Sequence, residues 1–189
     1  MDGEGERNRM HRFTKEHYVA ARNMRGQLIP DSYVIEMVGD GERILDAGCG
    51  DGYYSVLFSR FSRSVVAVDS NDIALRMLAE RITEEKIDNI IVEKANLCDY
   101  VPHDVGLIFM SNSFHDLNCK ENFIQKAVDS LDWPIFTLIE FKKNTPFGPP
   151  ENIRFSESEL ESFFRMWGYT LDRRKSLTMH YIHRYVISR

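Results

Sequence analysis

From residue 43 onward, short apolar runs alternate with stretches of helical period. Runs at 43–46, 64–69, 90–95, 105–111 and 135–141 are rich in Val, Ile, Leu and Phe. Each has strand length and nearly continuous apolar character, the pattern of parallel strands buried on both faces. Between them Tyr53, Leu57 and Phe61, with Tyr54 and Phe58, recur at helical spacing. So do Ile73, Ala74, Met77, Leu78 and Ile82, and then Phe123, Ile124, Ala127, Val128 and Leu131, this last stripe opened by Asn118 with Glu121 three residues on. A final helix has a capping box (Ser156 and Glu159), a staple of Phe155 and Leu160, an inward face of Leu160, Phe163, Phe164 and Trp167, and a stop at Gly168. Two strands, about 169–176 and 181–187, follow with no helix between them, which predicts an antiparallel hairpin closing a mainly parallel α/β sheet.

Upstream, Thr14 is placed to cap a helix over 14–28, with Tyr18, Ala21 and Met24 near one face. A second helix is expected from Asp31 to about Gly39. Residues 1–12 read as a loose tail. The expected division is an N-terminal tail and lid helix over 1–30 and a single domain over 31–189.

Composition narrows the class. The 189 residues are 43% hydrophobic and 28% charged with a formal charge of −5, which suits one globular domain and excludes a mainly disordered chain. No run approaches the roughly 18 apolar residues that span a bilayer. The first twelve residues lack the apolar core of a secretory signal, so a cytoplasmic location is expected, with no membrane partner. The acidic total argues against nucleic-acid binding through bulk electrostatics. Residues 163–189 nevertheless carry six Lys/Arg against Asp172 alone, so this segment stands at +5. Cys49, Cys98 and Cys119 are odd in number and lack CxxC spacing, and read as small buried side chains of an intracellular protein.

The segment Asp46-Ala47-Gly48-Cys49-Gly50-Asp51-Gly52 joins the first strand to its helix, where open α/β sheets bind ligands. It lacks the Gly-Lys-Ser/Thr of a P-loop. It also misses the dinucleotide fingerprint, because the third glycine would fall at Tyr53. Asp46 and Asp51 would repel a pyrophosphate but favour a ligand bearing an ammonium and a sulfonium; as an alternative, Asp51 caps the following helix. Asp69, ending the second strand before Ser70, is placed to accept both hydroxyls of a ribose.

With these residues the sequence resembles the class I S-adenosylmethionine-dependent methyltransferases over roughly residues 30–189. The resemblance implies a Rossmann-like seven-stranded mixed sheet, mostly parallel with the last strand antiparallel and helices on both faces. It implies S-adenosylmethionine as cofactor, held by Asp46, Gly48, Cys49, Gly50, Asp51, Gly52, Asp69 and Ser70, with Asn96 and Leu97 toward the adenine. Ala95-Asn96 replaces the family's Gly-Asp there. Asn112-Ser113-Phe114-His115-Asp116-Leu117 is similar to the Asn-x-Leu-His-His/Asp motif of small-molecule members such as the quinone-biosynthesis methyltransferases.

A sulfonium is already an excellent leaving group, so the protein has to align the displacement and exclude water, and needs a base only for an acceptor that loses a proton. The fourth and fifth strands end in Ser111, Asn112, His115 and Asp116, then Glu140, Lys142 and Lys143. His115 is the candidate catalytic base with Asp116 as its partner, Ser111 and Asn112 border the cofactor, and Glu140 is read as a structural ion-pair member. The Pro-rich 144–155 segment is a candidate wall for the acceptor, with Phe147 inward; it and the 13–28 segment (Phe13, His17 and Tyr18) are candidate closing elements. His180 and His183 fall on opposite strand faces and, like His11 and His17, suit no metal, so none is expected. The leading expectation is methyl transfer to a small molecule by a monomer or homodimer. An RNA or protein methyltransferase, favoured by the basic segment, and a catalytically silent cofactor-binding protein are the alternatives; a nicotinamide dehydrogenase is disfavoured by Tyr53 and the loop acids.

Overall fold

The computed structural model describes residues 14–39 and 42–188. The expected tail at 1–12, with His11, and also Phe13 lie outside the described residues. Helices α1 (Lys15–Leu28) and α2 (Asp31–Val38) lead into β1 (Arg43–Ala47), α3 (Tyr53–Ser59), β2 (Ser64–Asp69), α4 (Asp72–Glu85) and β3 (Ile90–Lys94). Then come β4 (Leu107–Ser111), α5 (Lys120–Ser130), β5 (Ile135–Phe141), α6 (Glu157–Met166), β6 (Tyr169–Ser176) and β7 (His180–Ile187). The seven strands lie in the order β3-β2-β1-β4-β5-β7-β6. β1 to β5 run parallel, and β7 is antiparallel to both its neighbours. This is the expected Rossmann-like mixed sheet.

Period-two alternation sorts the strand residues into two apolar layers. Leu45, Val66, Val68, Ile108, Met110, Phe136 and Leu138 meet Phe123, Ile124, Leu160 and Phe164 on one face. Ile44, Val65, Leu107, Phe109 and Ile139 meet Val34, Met37, Tyr54 and Phe58 on the other. Local signals place the helix ends. Ser156 Oγ accepts from Glu159 N at 3.2 Å while Glu159 Oε2 accepts from Ser156 N at 2.7 Å, closing the expected capping box. Asn71 caps α4 by accepting from Ile73 N and Ala74 N.

Four expectations change. β3 is an edge strand paired only with β2, so Ile91 and Val92 are 56% and 36% exposed rather than buried on both faces. β4 starts at Leu107, because Asp104 (φ 52°) is still turning the chain. Asn118 does not cap α5; that position belongs to Cys119, which is disulfide-bonded to Cys98 across a Cα–Cα distance of 5.6 Å. The reading of all three cysteines as small buried side chains therefore holds only for Cys49, which is buried and free. The loop after β3 carries Cys98 to Cys119 in the loop after β4, although β2 and β1 lie between those strands, a proximity invisible in their spacing of 21 residues.

Thiol titration of the unfolded, unreduced chain should detect Cys49 alone. Reduction should lower the unfolding free energy by about 3 kcal/mol, from the loop closed by the bridge, as measured by urea denaturation with and without reductant.

Candidate active site

Strand order reverses between β1 and β4, leaving a crevice at their carboxyl ends. The glycine loop folds over the end of β2: Gly48 N and Cys49 N both donate to Val68 O, at 2.8 and 3.0 Å. Gly50 N donates to Asp69 Oδ2 at 2.9 Å, and Asn71 N to Asp69 Oδ1 at 2.8 Å. Ser113 Oγ donates to Ala47 O, joining the loop after β4 to the end of β1. Gly48 has φ 79°, and a Cβ there would lie 2.7 Å from that of Ser113. Gly52 has φ 74°, and a Cβ there would run into Leu78. Ser70 is exposed at the turn after Asp69.

The two loop acids differ in setting. Asp46 is buried and accepts a 2.5 Å hydrogen bond from Ser55 Oγ. Burial pushes its carboxyl up to about 7, against the opposing pull of Ser55 and of the positive charge of Arg25. Asp51, only 1% exposed, takes both Nε (2.8 Å) and Nη2 (2.5 Å) of Arg22 from α1 on its Oδ2. It is not a helix cap, since Gly52 occupies that position. Burial also raises the Cys49 thiol well above its ordinary value.

Across the crevice, Asn96 is exposed, and its Oδ1 accepts from Cys98 N, while Leu97 lies in the core. Asn112 Oδ1 is buried without a hydrogen-bond partner among the described residues, while the Ser111 hydroxyl lies against that of Tyr54. Asn112 takes a left-handed φ of 53°. Buried polar atoms of this kind carry a desolvation cost that a bound ligand can relieve.

His115 is 5% exposed, and its main partner is Glu140 rather than the expected Asp116. The ring Nδ1 lies 2.6 Å from Glu140 Oε2, and the backbone N donates to Oε1 at 3.3 Å. Asp116 is largely exposed and reaches only 3.5 Å from Nε2. The reason is topological: β4 and β5 are parallel neighbours, so the loop after β4 hangs beside the end of β5. Burial alone would lower the imidazole pKa, but the hydrogen bond and charge of Glu140 outweigh it, and the net shift is upward. Lys120 Nζ donates to the carbonyls of His115 and Leu117, holding this loop against α5.

A cleft of about 390 Å³ opens beside the end of β5, lined by Lys142, Lys143, Ser156, Glu157, Ser158 and Tyr181. Arg154 shapes the adjoining loop by donating to the carbonyls of Lys142, Thr145, Phe147 and Pro149. Phe147 is 66% exposed rather than inward, because its backbone is held by Arg154 while Gly148 packs on Phe141. His180 lies against Phe141, and His183 pairs with Tyr185 and Glu157. Among the described residues no group of three or more His, Cys, Asp or Glu is placed to hold a metal ion. No helix among them is long and apolar enough to cross a membrane.

Sequence reasoning missed Arg22 and Arg25 altogether. Their spacing from Tyr18 (i+4 and i+7) was the available signal.

Residues 44–132 match the Methyltransferase domain family. The chain is 38% identical over 63 residues to the ribosomal protein L11 methyltransferase of Acetivibrio thermocellus, a match covering 33% of this chain and 20% of that protein. The match thus spans about a fifth of that relative's length. Among solved structures, a SAM-dependent methyltransferase from Aquifex aeolicus superposes with a TM-score of 0.81 at 21% identity, covering 93% of this chain and 100% of that one. Magnesium protoporphyrin IX methyltransferase from Synechocystis PCC 6803 with bound SAH gives 0.70 at 13% identity, covering 90% and 84%. These two establish likeness of fold.

Because the carboxyl of Asp46 sits above its ordinary 3.8, the folded protein holds a proton that the unfolded chain releases between pH 4 and 7. Stability should therefore fall as pH rises through that window. Asp46→Asn should remove this decline and gain on the order of 3 kcal/mol over wild type at pH 8, as measured by urea unfolding at pH 4.5, 6 and 8.

Proposed function

We propose that the chain is a class I, S-adenosylmethionine-dependent methyltransferase that transfers the methyl group to a small organic molecule bound at the carboxyl ends of β4 and β5. The match of residues 44–132 to the Methyltransferase domain family and the likeness of fold support this reading. S-adenosylmethionine is the cofactor in this reading, supported by the methyltransferase domain match and by a structural neighbour with bound SAH, and the crevice suits it. Bare glycines open the loop to close approach, carboxylates line it, and the buried, unpartnered oxygen of Asn112 is left for a polar ligand. In this reading the glycine loop and Asp46 hold the amino-acid end. Asp69 holds the ribose: each of its oxygens accepts one backbone N–H and keeps a lone pair for a hydroxyl. Asn96 and Leu97 border the adenine.

The cofactor supplies an electrophilic methyl on a good leaving group. The protein's own work is to bind, align and take up a proton. The observation that carries the acceptor assignment is the buried His115–Glu140 pair at the mouth of β4 and β5. Glu140 fixes the imidazole and stabilises its protonated form, so His115 is suited to accept a proton from a hydroxyl or amine. Asp116, exposed beside Nε2, borders the acceptor.

The basic C-terminal segment lends little to an RNA acceptor. Lys175 pairs with Glu36 at 2.9 Å, Arg184 with Asp172 at 3.1 Å and Arg165 with Glu161 at 2.7 Å. Arg184 also donates to the carbonyls of Met37 and Val38. These charges tie the hairpin to α2 or to its own neighbours. A protein acceptor is the second reading, favoured by the likeness to the ribosomal protein L11 methyltransferase.

Incubation with S-adenosylmethionine carrying a radiolabelled methyl group and fractionated cell extract should put label into the small-molecule fraction. Label in protein instead would establish the second reading, and label in RNA would overturn both. Once an acceptor is in hand, the neutral imidazole is the active form of His115, so kcat/KM should rise with pH through a midpoint above 6.5. Glu140→Gln should move that midpoint down, as read from a pH–rate profile.

A further inference from the structure

The disulfide joins two loops that the sheet order holds apart. Strands β3 and β4 are separated by β2 and β1, yet Cys98 in the loop after β3 is bonded to Cys119 in the loop after β4. The first loop carries Asn96 and Leu97, and the second carries Asn112, Ser113 and His115. Both ends of the bridge are tied to these residues. Cys98 N donates to Asn96 Oδ1 at 3.0 Å. Cys119 precedes Lys120, whose Nζ donates to the carbonyls of His115 and Leu117. The bridge thus couples the two walls of the crevice.

Cys119 holds a position that helices ordinarily give to another residue type. It is the N-cap of α5, where Ser, Thr, Asp or Asn would accept a backbone N–H, and its side chain makes no such bond. The start of this helix is therefore fixed by the bridge in place of a cap. Other contacts hold the loop after β3 to the body of α5: Asn122 Nδ2 and Lys126 Nζ donate to Cys98 O at 3.2 and 2.7 Å, and Ser130 Oγ donates to Pro102 O at 2.6 Å. These survive reduction, so opening the bridge frees the first turn of α5 and the segment before it. Asn118 Oδ1 stands 3.1 Å from Cys98 Sγ, an acceptor for the S–H of the thiol form. Both cysteines are half-buried beside the exposed Asp99 and Asn118, within reach of a thiol from solvent.

We propose that Cys98–Cys119 is a redox-modification site that sets the affinity of the crevice for S-adenosylmethionine. Bridged, the two walls are joined and the cofactor binds tightly; reduced, they part and it binds weakly. The proposal rests on the assignment of the crevice as the cofactor site, with Asn96 and Leu97 toward the adenine. The reaction is exchange with a thiol reductant. A reductant thiolate attacks one sulfur, the S–S bond breaks, and the other cysteine leaves as a thiolate and takes a proton. A second reductant thiolate attacks the mixed disulfide and frees the first cysteine, which is protonated in turn. Two electrons and two protons reach Cys98 and Cys119, and the reductant ends as its own disulfide. Linkage makes the effect mutual: the cofactor favours the bridge by the factor by which the bridge favours the cofactor.

Isothermal calorimetry on the oxidised and the dithiothreitol-reduced protein should show S-adenosylmethionine binding about 10-fold more weakly after reduction. The loss should be similar for 5′-methylthioadenosine, which keeps the adenine. Cys98→Ser/Cys119→Ser should match the reduced protein and be indifferent to dithiothreitol. In glutathione buffers of graded composition, saturating S-adenosylmethionine should shift the value of [GSH]²/[GSSG] at half-reduction by the same factor, as read by thiol alkylation and mass spectrometry. A cooperative urea transition should show that the reduced chain is still folded; a reduced chain unfolded in buffer would overturn the proposal, since the bridge would then serve the whole fold. Equal affinity of the two forms, or a glutathione midpoint that S-adenosylmethionine does not move, would overturn it while leaving the cofactor site intact. Failure of both forms to bind either nucleoside would remove the cofactor site itself and the proposal with it.

Discussion

The glycine loop keeps its shape because the end of β2 supplies acceptors that the loop cannot find in itself. Val68 O takes two backbone N–H groups, and the Asp69 carboxylate takes the N–H of Gly50 and of Asn71. A turn as open as this one would otherwise strand donors in a desolvated crevice. Once pinned, the loop delivers Asp46 and Asp51 to fixed positions and exposes backbone where side chains would obstruct a ligand. Ser113 extends the same frame to the loop after β4 by donating to Ala47 O. The two sides of the crevice are therefore one hydrogen-bonded assembly.

Charge in this assembly is arranged by burial rather than by count. Four carboxylates (Asp46, Asp51, Asp69 and Glu140) stand near the carboxyl ends of neighbouring strands, and each is satisfied differently. Ser55 serves Asp46, Arg22 serves Asp51, two backbone amides serve Asp69, and His115 serves Glu140. An uncompensated buried carboxylate is costly, and a serine hydroxyl compensates less than a guanidinium does. Asp46 is accordingly pushed toward neutrality by its burial, and so has much to gain from a cationic ligand.

The His115–Glu140 pair shows how the parallel sheet joins chemistry across sequence. Twenty-five residues and a helix separate the two side chains, yet adjacent parallel strands end at the same level and bring them within hydrogen-bond reach. An antiparallel last strand likewise sets Tyr181 opposite Glu140.

The strands, the helices, the capping box at Ser156 and the final hairpin were legible in the chain itself. Their causes act over one to four residues: alternation of apolar faces, side-chain capping and a glycine stop. The position of the glycine loop at the end of the first strand was legible for the same reason, and with it Asp46 and Asp69. What the tertiary structure alone decided was pairing. That Asp51 belongs to Arg22, His115 to Glu140 and Cys98 to Cys119, that β3 lies at an edge, and that Phe147 faces solvent all depend on how separate elements and loops pack together. Contacts of that range carry no periodicity in one dimension, because they arise only when separate elements have packed.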